Sequence, residues 1–418
     1  MEKNKNNING ITLVALVITI IILLILAGIS ISALTNTGIF QKAKEAKEKS
    51  KEAQNQEEKT LNNYLTQINT ITFSNINKAE TTPELAIPQN SVIIESDANK
   101  GIVIKDANNN EWVWIIVPKN IFKTAKSKTD YDNIKNDLIE YAKDYRYGNI
   151  NQNCYWKDEW YDGCGINDEN GKTGSELYTE LYNEMLSSTY TNGGFWISRY
   201  EIGDKKSTEE NITRTSSSGI TGEAVSKPNQ IPYNYLTCAQ AQTLAKEMSI
   251  DSNKTSSLLF GIQWDLLCKF LQEQGGLSIA QLKSGDSIGS TSFGNYSNNS
   301  LKLLKGKYNI NLWNPASIWT SYNTDTDNYV INSLTQNDAN YYQLLTTGAS
   351  EQTKKMNIYD LAGNLWERTL EHATSLPDYP CADRGGSLNR NGFDAPVATR
   401  SGSNMVLSGS LGFRCTIF

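Results

Sequence analysis

From Ser91 to Phe418 no helical period persists and no internal repeat is visible, and that absence constrains the fold more than any other feature of the chain. Short β-type runs take its place: Val92-Ile93-Ile94, Ile102-Val103-Ile104 and Trp112-Val113-Trp114-Ile115-Ile116-Val117, separated by Asn, Asp and Gly. Pro118 closes the last run, because proline cannot donate to a β ladder. Two stretches carry helical spacing. Thr237 to Met248 places Ala241, Leu244, Ala245 and Met248 on one face, and Gly261 to Gln272 does the same with Trp264, Leu267, Cys268 and Leu271. Residues 204–230 and 284–308, rich in Ser, Thr, Asn and Gly, read as loops. Many short strands with few helices predict a loop-rich α+β domain over 91–418.

Ahead of this domain, Ile11 to about Leu34 is apolar and uncharged, a length that spans a bilayer as one helix. An uncharged run of about 18 residues favours a membrane span over a buried core helix. Lys3 and Lys5 precede it, so residues 1–10 are expected in the cytoplasm and everything after the helix outside. The expectation is a single-pass membrane protein with its ectodomain on a bacterial cell surface. Gly10-Ile11-Thr12-Leu13-Val14-Ala15 resembles the start of a type IV prepilin, with Ile11 and Ala15 where that family has Phe and Glu, which leaves cleavage after Gly10 open. Within 35–70, Phe40 to Gln67 is rich in Lys, Glu, Ala and Gln without Gly or Pro, which suits a solvated helical stalk or a flexible charged linker equally. Residues 71–90, with Pro83 and Pro88, read as the linker proper.

A net charge of -6 gives no footprint for nucleic acid. A single histidine, His372, excludes histidine-rich metal sites and reads as a surface residue beside Glu371. No tight acid pair or Ser-His-Asp set stands out. The six cysteines form no C-x-x-C pair. Cys154 and Cys164 flank a short loop and are the first choice for a disulfide; Cys381 and Cys415 are a second, and Cys238 and Cys268 fit buried free thiols.

Several motifs stand in a telling order. Glu111-Trp112 through Val117 comes first, then Gly193-Gly194-Phe195-Trp196-Ile197-Ser198-Arg199-Tyr200-Glu201, then Pro232-Tyr233-Asn234. Asn357-Ile358-Tyr359-Asp360-Leu361-Ala362-Gly363-Asn364-Leu365-Trp366-Glu367 follows, and Arg384-Gly385-Gly386-Ser387 and Leu411-Gly412-Phe413-Arg414 close the series. Together they resemble the formylglycine-generating, or sulfatase-modifying, enzyme family over nearly all of residues 110–418. The resemblance implies a C-type-lectin-like fold. It also implies a structural calcium ion held by Asn364 and Glu367, although a plain buried hydrogen-bond network fits those residues as well. Read physically, Gly363 and Gly385-Gly386 mark backbone that a Cβ would obstruct, Trp366 and Phe413 are core, and Arg384 and Arg414 pair with buried acids such as Glu367.

Enzymes of that family oxidise a cysteine with two copper-binding thiolates placed just after the Arg-Gly-Gly-Ser motif, soft ligands that copper(I) requires. Here Leu388 to Arg400 holds no cysteine, so no oxidase activity and no cofactor beyond calcium are expected. The segment is aperiodic, mixing large, charged and small residues, which suits a binding face on fixed backbone. Leu388, Asn389, Arg390, Asn391, Phe393, Asp394, Val397, Thr399 and Met405 are the candidate contacts. This layout resembles the variable proteins of diversity-generating retroelements, and implies an adhesin- or receptor-like protein with an extracellular protein or glycan ligand. A membrane-tethered modifying enzyme and a minor-pilin-like subunit are the alternatives. The aromatic loop Cys154 to Cys164 either adds a second contact surface or covers the core.

Overall fold

The computed structural model describes residues 17–27, 42, 44–53, 56 and 85–418, apart from 147–154, 284–288, 304–305, 310–316, 322–329 and 332–341. It divides into two units, Met1–Thr70 and Ile71–Phe418.

In the first unit, residues 17–27 are helical and exposed, as are residues 44–53. Among the described residues no helix is long and apolar enough to cross a membrane. This overturns the expected transmembrane helix, and with it the single-pass, cell-surface location. An apolar composition shows that a segment can leave water; crossing a bilayer further requires about 20 residues of continuous helix. Residues 11–16 and 28–34 lie outside the described residues.

The second unit is mixed α/β. Strands β1 (Val92–Glu95), β2 (Val103–Lys105), β3 (Glu111–Ile116), β4 (Trp156–Lys157), β5 (Gly194–Ser198), β6 (Ser256–Leu258), β7 (Trp366–Ala373), β8 (Cys381–Arg384), β9 (Arg400–Ser403), β10 (Leu411–Phe413) and β11 (Cys415–Ile417) build its two larger sheets. The first sheet runs β1-β2-β3-β5-β11-β6, with every neighbouring pair antiparallel. The second runs β9-β8-β7-β10, with β4 also on β7 and β10 parallel to β7. In β3, Trp112, Val113, Trp114 and Ile115 are all buried, so this strand is covered on both faces and loses the usual alternation.

Four longer helices are α1 (Tyr131–Tyr141), α2 (Gly174–Asn192), α3 (Cys238–Glu247) and α4 (Gly261–Glu273); the last three pack with the sheets, and α1 packs on α2 and α4. α2 opens on a capping box in which the Thr173 side chain accepts from the Glu176 amide, and it ends at Gly193 with φ 71°, a left-handed position glycine adopts without strain. α3 opens on an equivalent box made by Thr237 and Gln240. α4 is buried on nearly all sides, with Trp264, Leu267 and Phe270 deep in the main core. β10 and β11 belong to different sheets and are separated by Arg414 alone. Its guanidinium lies 2.8 Å from Glu367 and donates to the Ser198 and Tyr359 carbonyls at 2.9 and 2.8 Å.

Candidate binding surface

A buried set of charges supports the segment after Ser387. Arg384 on β8 and Arg400 on β9 both reach Asp265 of α4, at 2.9 and 2.6 Å, and both reach Glu371 of β7, at 3.1 and 3.0 Å. Arg146 joins them through Asp265 at 2.7 Å and Asp158 at 2.6 Å. Asp158 in turn accepts from the Gly261 and Ile262 amides, so it caps the start of α4 as well. Burial alone would raise the Glu371 carboxyl, but Arg400, Arg384 and Arg146 outweigh it and hold Glu371 well below the usual carboxylate range. The backbone above this set is tied down. Trp264 donates its indole N–H to the Val397 carbonyl at 2.9 Å, the Val397 amide donates to Ser290 Oγ at 3.0 Å, and the Leu388 amide donates to the Asn364 carbonyl at 3.0 Å.

The candidate contacts divide on this support. Arg390 and Asp394 are exposed, and Asn389, Asn391, Phe393 and Thr399 are half-buried. Asn391 braces its own turn, accepting from Ser297 Oγ at 3.0 Å and donating to Asp394 at 3.2 Å. Met405, with Val406 beside it, is exposed, and its thioether covers Gly163. Two expectations are corrected. Leu388 is buried against Ile231, Trp319, Leu344 and Leu365, and Val397 lies in the main core. Both are apolar residues whose backbone is pinned, so their side chains turn inward to pack. Trp366, Ala395 and Leu411 form a small apolar cluster connecting the 388–398 and 404–411 segments from below.

Asn364 and Glu367 do not fit a calcium ion. The Asn364 side-chain oxygen Oδ1 already accepts from Asn295 Nδ2 at 2.9 Å and the Leu345 amide at 3.1 Å, while its Nδ2 donates to Glu201 at 2.5 Å. Glu367 faces the Arg414 guanidinium, a cation in the place a metal would need. Burial, together with the nearby Asp360 and Glu367 carboxyls, pushes Glu201 well above the usual carboxylate range, and its two oxygens accept from Asn364 Nδ2 and the Leu365 amide. Among the described residues no group of three or more His, Cys, Asp and Glu side chains could hold a metal ion.

One cluster was not foreseen. Tyr161 Oη lies 3.2 Å from Cys238 Sγ, 3.4 Å from Cys381 Sγ and 3.1 Å from the Thr369 carbonyl oxygen. Arg368 Nη1 sits 3.5 Å from Cys381 Sγ and 3.9 Å from Asp383. A hydrogen bond from Cys238, joined by the Arg368 charge and the Tyr161 hydroxyl, holds the Cys381 thiol below its ordinary range despite burial. The same hydrogen bond, with burial, pushes Cys238 up, and burial plus the charge at Cys381 raises Asp383 to about 8. Cys164, Cys238, Cys268, Cys381 and Cys415 are all free and buried, so the expected Cys381–Cys415 bridge is absent; Cys154 lies outside the described residues. In the aromatic loop, Tyr155 and Trp160 are exposed while Tyr161 is buried. His372 Nδ1 lies 3.2 Å from Glu159, and its ring stacks on Tyr161.

Neither family models nor curated proteins match this chain.

Proposed function

We propose that residues 91–418 are a ligand-binding module on a non-catalytic relative of the formylglycine-generating scaffold, and that Arg390, Asp394, Met405 and Val406 contact a protein partner. The observation that carries this reading is the contrast along one stretch of chain. Arg384, Arg400 and Arg414 are buried and paired with acids, whereas Arg390, Asp394, Met405 and Val406 between them face solvent on braced backbone. Side chains that do not pack are free to bind, and a fixed backbone lowers the entropy cost of association. A protein surface is favoured over a glycan because Arg and Met are enriched at protein interfaces. The sequence supports the absence of oxidase chemistry, since 388–400 offers no thiolate for copper.

The test uses full-length protein carrying a photo-crosslinking residue at Val406. Arg390→Ala, Asp394→Ala and Met405→Ala together should lower partner capture by about tenfold or more, the equivalent of ~1.4 kcal/mol, with the unfolding midpoint unchanged. Capture that survives all three changes overturns the assignment.

A further inference from the structure

We infer that Cys238 and Cys381 form an oxidisable dithiol that a hydroperoxide closes into a disulfide, tying the first turn of α3 to β8. Three features of the structure carry this. The two sulfurs flank one hydroxyl, Tyr161 Oη, at 3.2 and 3.4 Å, so they are neighbours in the folded protein and side-chain movement about that hydroxyl can bring them to the ~2 Å bond of a disulfide. Each is fixed by a different element: Cys238 is the first residue of α3, while Cys381 pairs with Ser403 across β8 and β9. The third feature is the Arg368 guanidinium, which reaches from Cys381 Sγ at 3.5 Å to the carbonyl of exposed Val406 at 2.7 Å. The thiol pair therefore lies one guanidinium below the surface of the 403–406 segment.

The roles of the two sulfurs follow from their partners. Cys381 receives hydrogen bonds from Tyr161 and Arg368, which favours its thiolate, the form that attacks. Its sulfur attacks the distal oxygen of the hydroperoxide. The S–O bond forms, the O–O bond breaks, and the departing oxygen takes up a proton to leave as an alcohol, or as water when the oxidant is hydrogen peroxide. Cys381 is thereby oxidised by two electrons to the sulfenic acid. The Cys238 sulfur then attacks Cys381 sulfur; the S–S bond forms, the S–O bond breaks, and hydroxide leaves with the Cys238 proton as a second water. Reduction by an external thiol reverses the change. In the reduced protein Arg368 balances the charge at Cys381, and the disulfide removes that charge, leaving Asp383 as the acid nearest the guanidinium.

Full-length protein, reduced and freed of reductant, would be treated with hydrogen peroxide, alkylated with N-ethylmaleimide in denaturant and digested without reduction. The expected product is a pair of peptides joined through Cys238 and Cys381, two hydrogens lighter than its parts and separated by dithiothreitol. Cys238→Ala should instead accumulate a Cys381 sulfenic acid that dimedone traps. Arg368→Gln removes the cation 3.5 Å from Cys381 Sγ and should move the pH midpoint of closure upward. The wild-type digest decides the matter without relying on any variant to fold. Recovery of both cysteines as maleimide adducts, under peroxide that converts Met405 to the sulfoxide, overturns the inference. Linkage of Cys381 to Cys164 in place of Cys238 overturns it equally.

Discussion

Replacing Asp265 with Asn tests whether the buried charge set supports the 388–400 segment. Asp265 lies 2.7, 2.9 and 2.6 Å from Arg146, Arg384 and Arg400, and all four side chains are nearly or fully buried. The set balances as it stands, with Arg146, Arg384 and Arg400 against Asp158, Asp265 and Glu371. Asn keeps the volume, so packing changes little, but one positive charge is left unmatched. At an effective dielectric near 20 a close charge pair attracts by about 4 kcal/mol, much of it offset by desolvation. Removing one partner of a buried pair costs about 3–5 kcal/mol, and a loss of that size is expected here. Urea unfolding should show a lower midpoint with the slope unchanged, the sign that stability fell rather than compactness. Adding Arg146→Met restores the balance, so the double variant should be more stable than the sum of the single losses predicts, by at least about 1 kcal/mol. A loss below about 1 kcal/mol for Asp265→Asn, or strict additivity in the double variant, would refute the reasoning.

Two further outcomes follow from the structure. Asp383, raised to about 8 when folded by burial and the charge at Cys381, has an unfolded value near 3.9. Between those values the folded state holds the extra proton, so this group's contribution is present at low pH and is lost as pH rises toward 8. The stability of Asp383→Asn relative to wild type should therefore climb by up to about 1.4 kcal/mol per pH unit from about 4 to 8, and a pH-independent difference would contradict that assignment. Trp366→Ala empties the cluster with Ala395 and Leu411 and should cost about 3–5 kcal/mol in urea unfolding, whereas a loss under about 1 kcal/mol would mean that the indole does not support the loops.

Sequence reading reached parts of this structure where a pattern was tied to a single cause. The spacing of Trp264, Leu267, Cys268 and Leu271 marks α4 because only a helix brings them to one face. α2 is missing from the sequence reading although Tyr178, Tyr182, Met185, Leu186 and Thr189 fall at helical spacing; Tyr and Thr favour strands and blur that pattern, and the Thr173-x-x-Glu176 capping box is a second signal for it. Leu388 and Val397 could not be separated from Arg390 and Asp394 by pattern. An aperiodic stretch looks the same whether its backbone turns a side chain in or out. The Cys238–Cys381 contact joins residues far apart in sequence, and nothing local distinguishes it from the Cys381–Cys415 alternative. In the 11–34 run composition alone does not decide whether a segment crosses a bilayer.

The crossover at Arg414 has a consequence for how the molecule assembles. β11 lies between β5 and β6 in the first sheet, while β10, one residue earlier, completes a pairing in the second. A chain that has emerged only as far as residue 400 can form β1, β2, β3 and β5, yet β5 and β6 remain open edges with unpaired amides and carbonyls. Both sheets wait on the same short run, and the pairings that close the first sheet span well over a hundred residues. Such distant pairings fold slowly. Until then the exposed edges are where this protein is most prone to pair with the wrong strand, its own or a neighbour's.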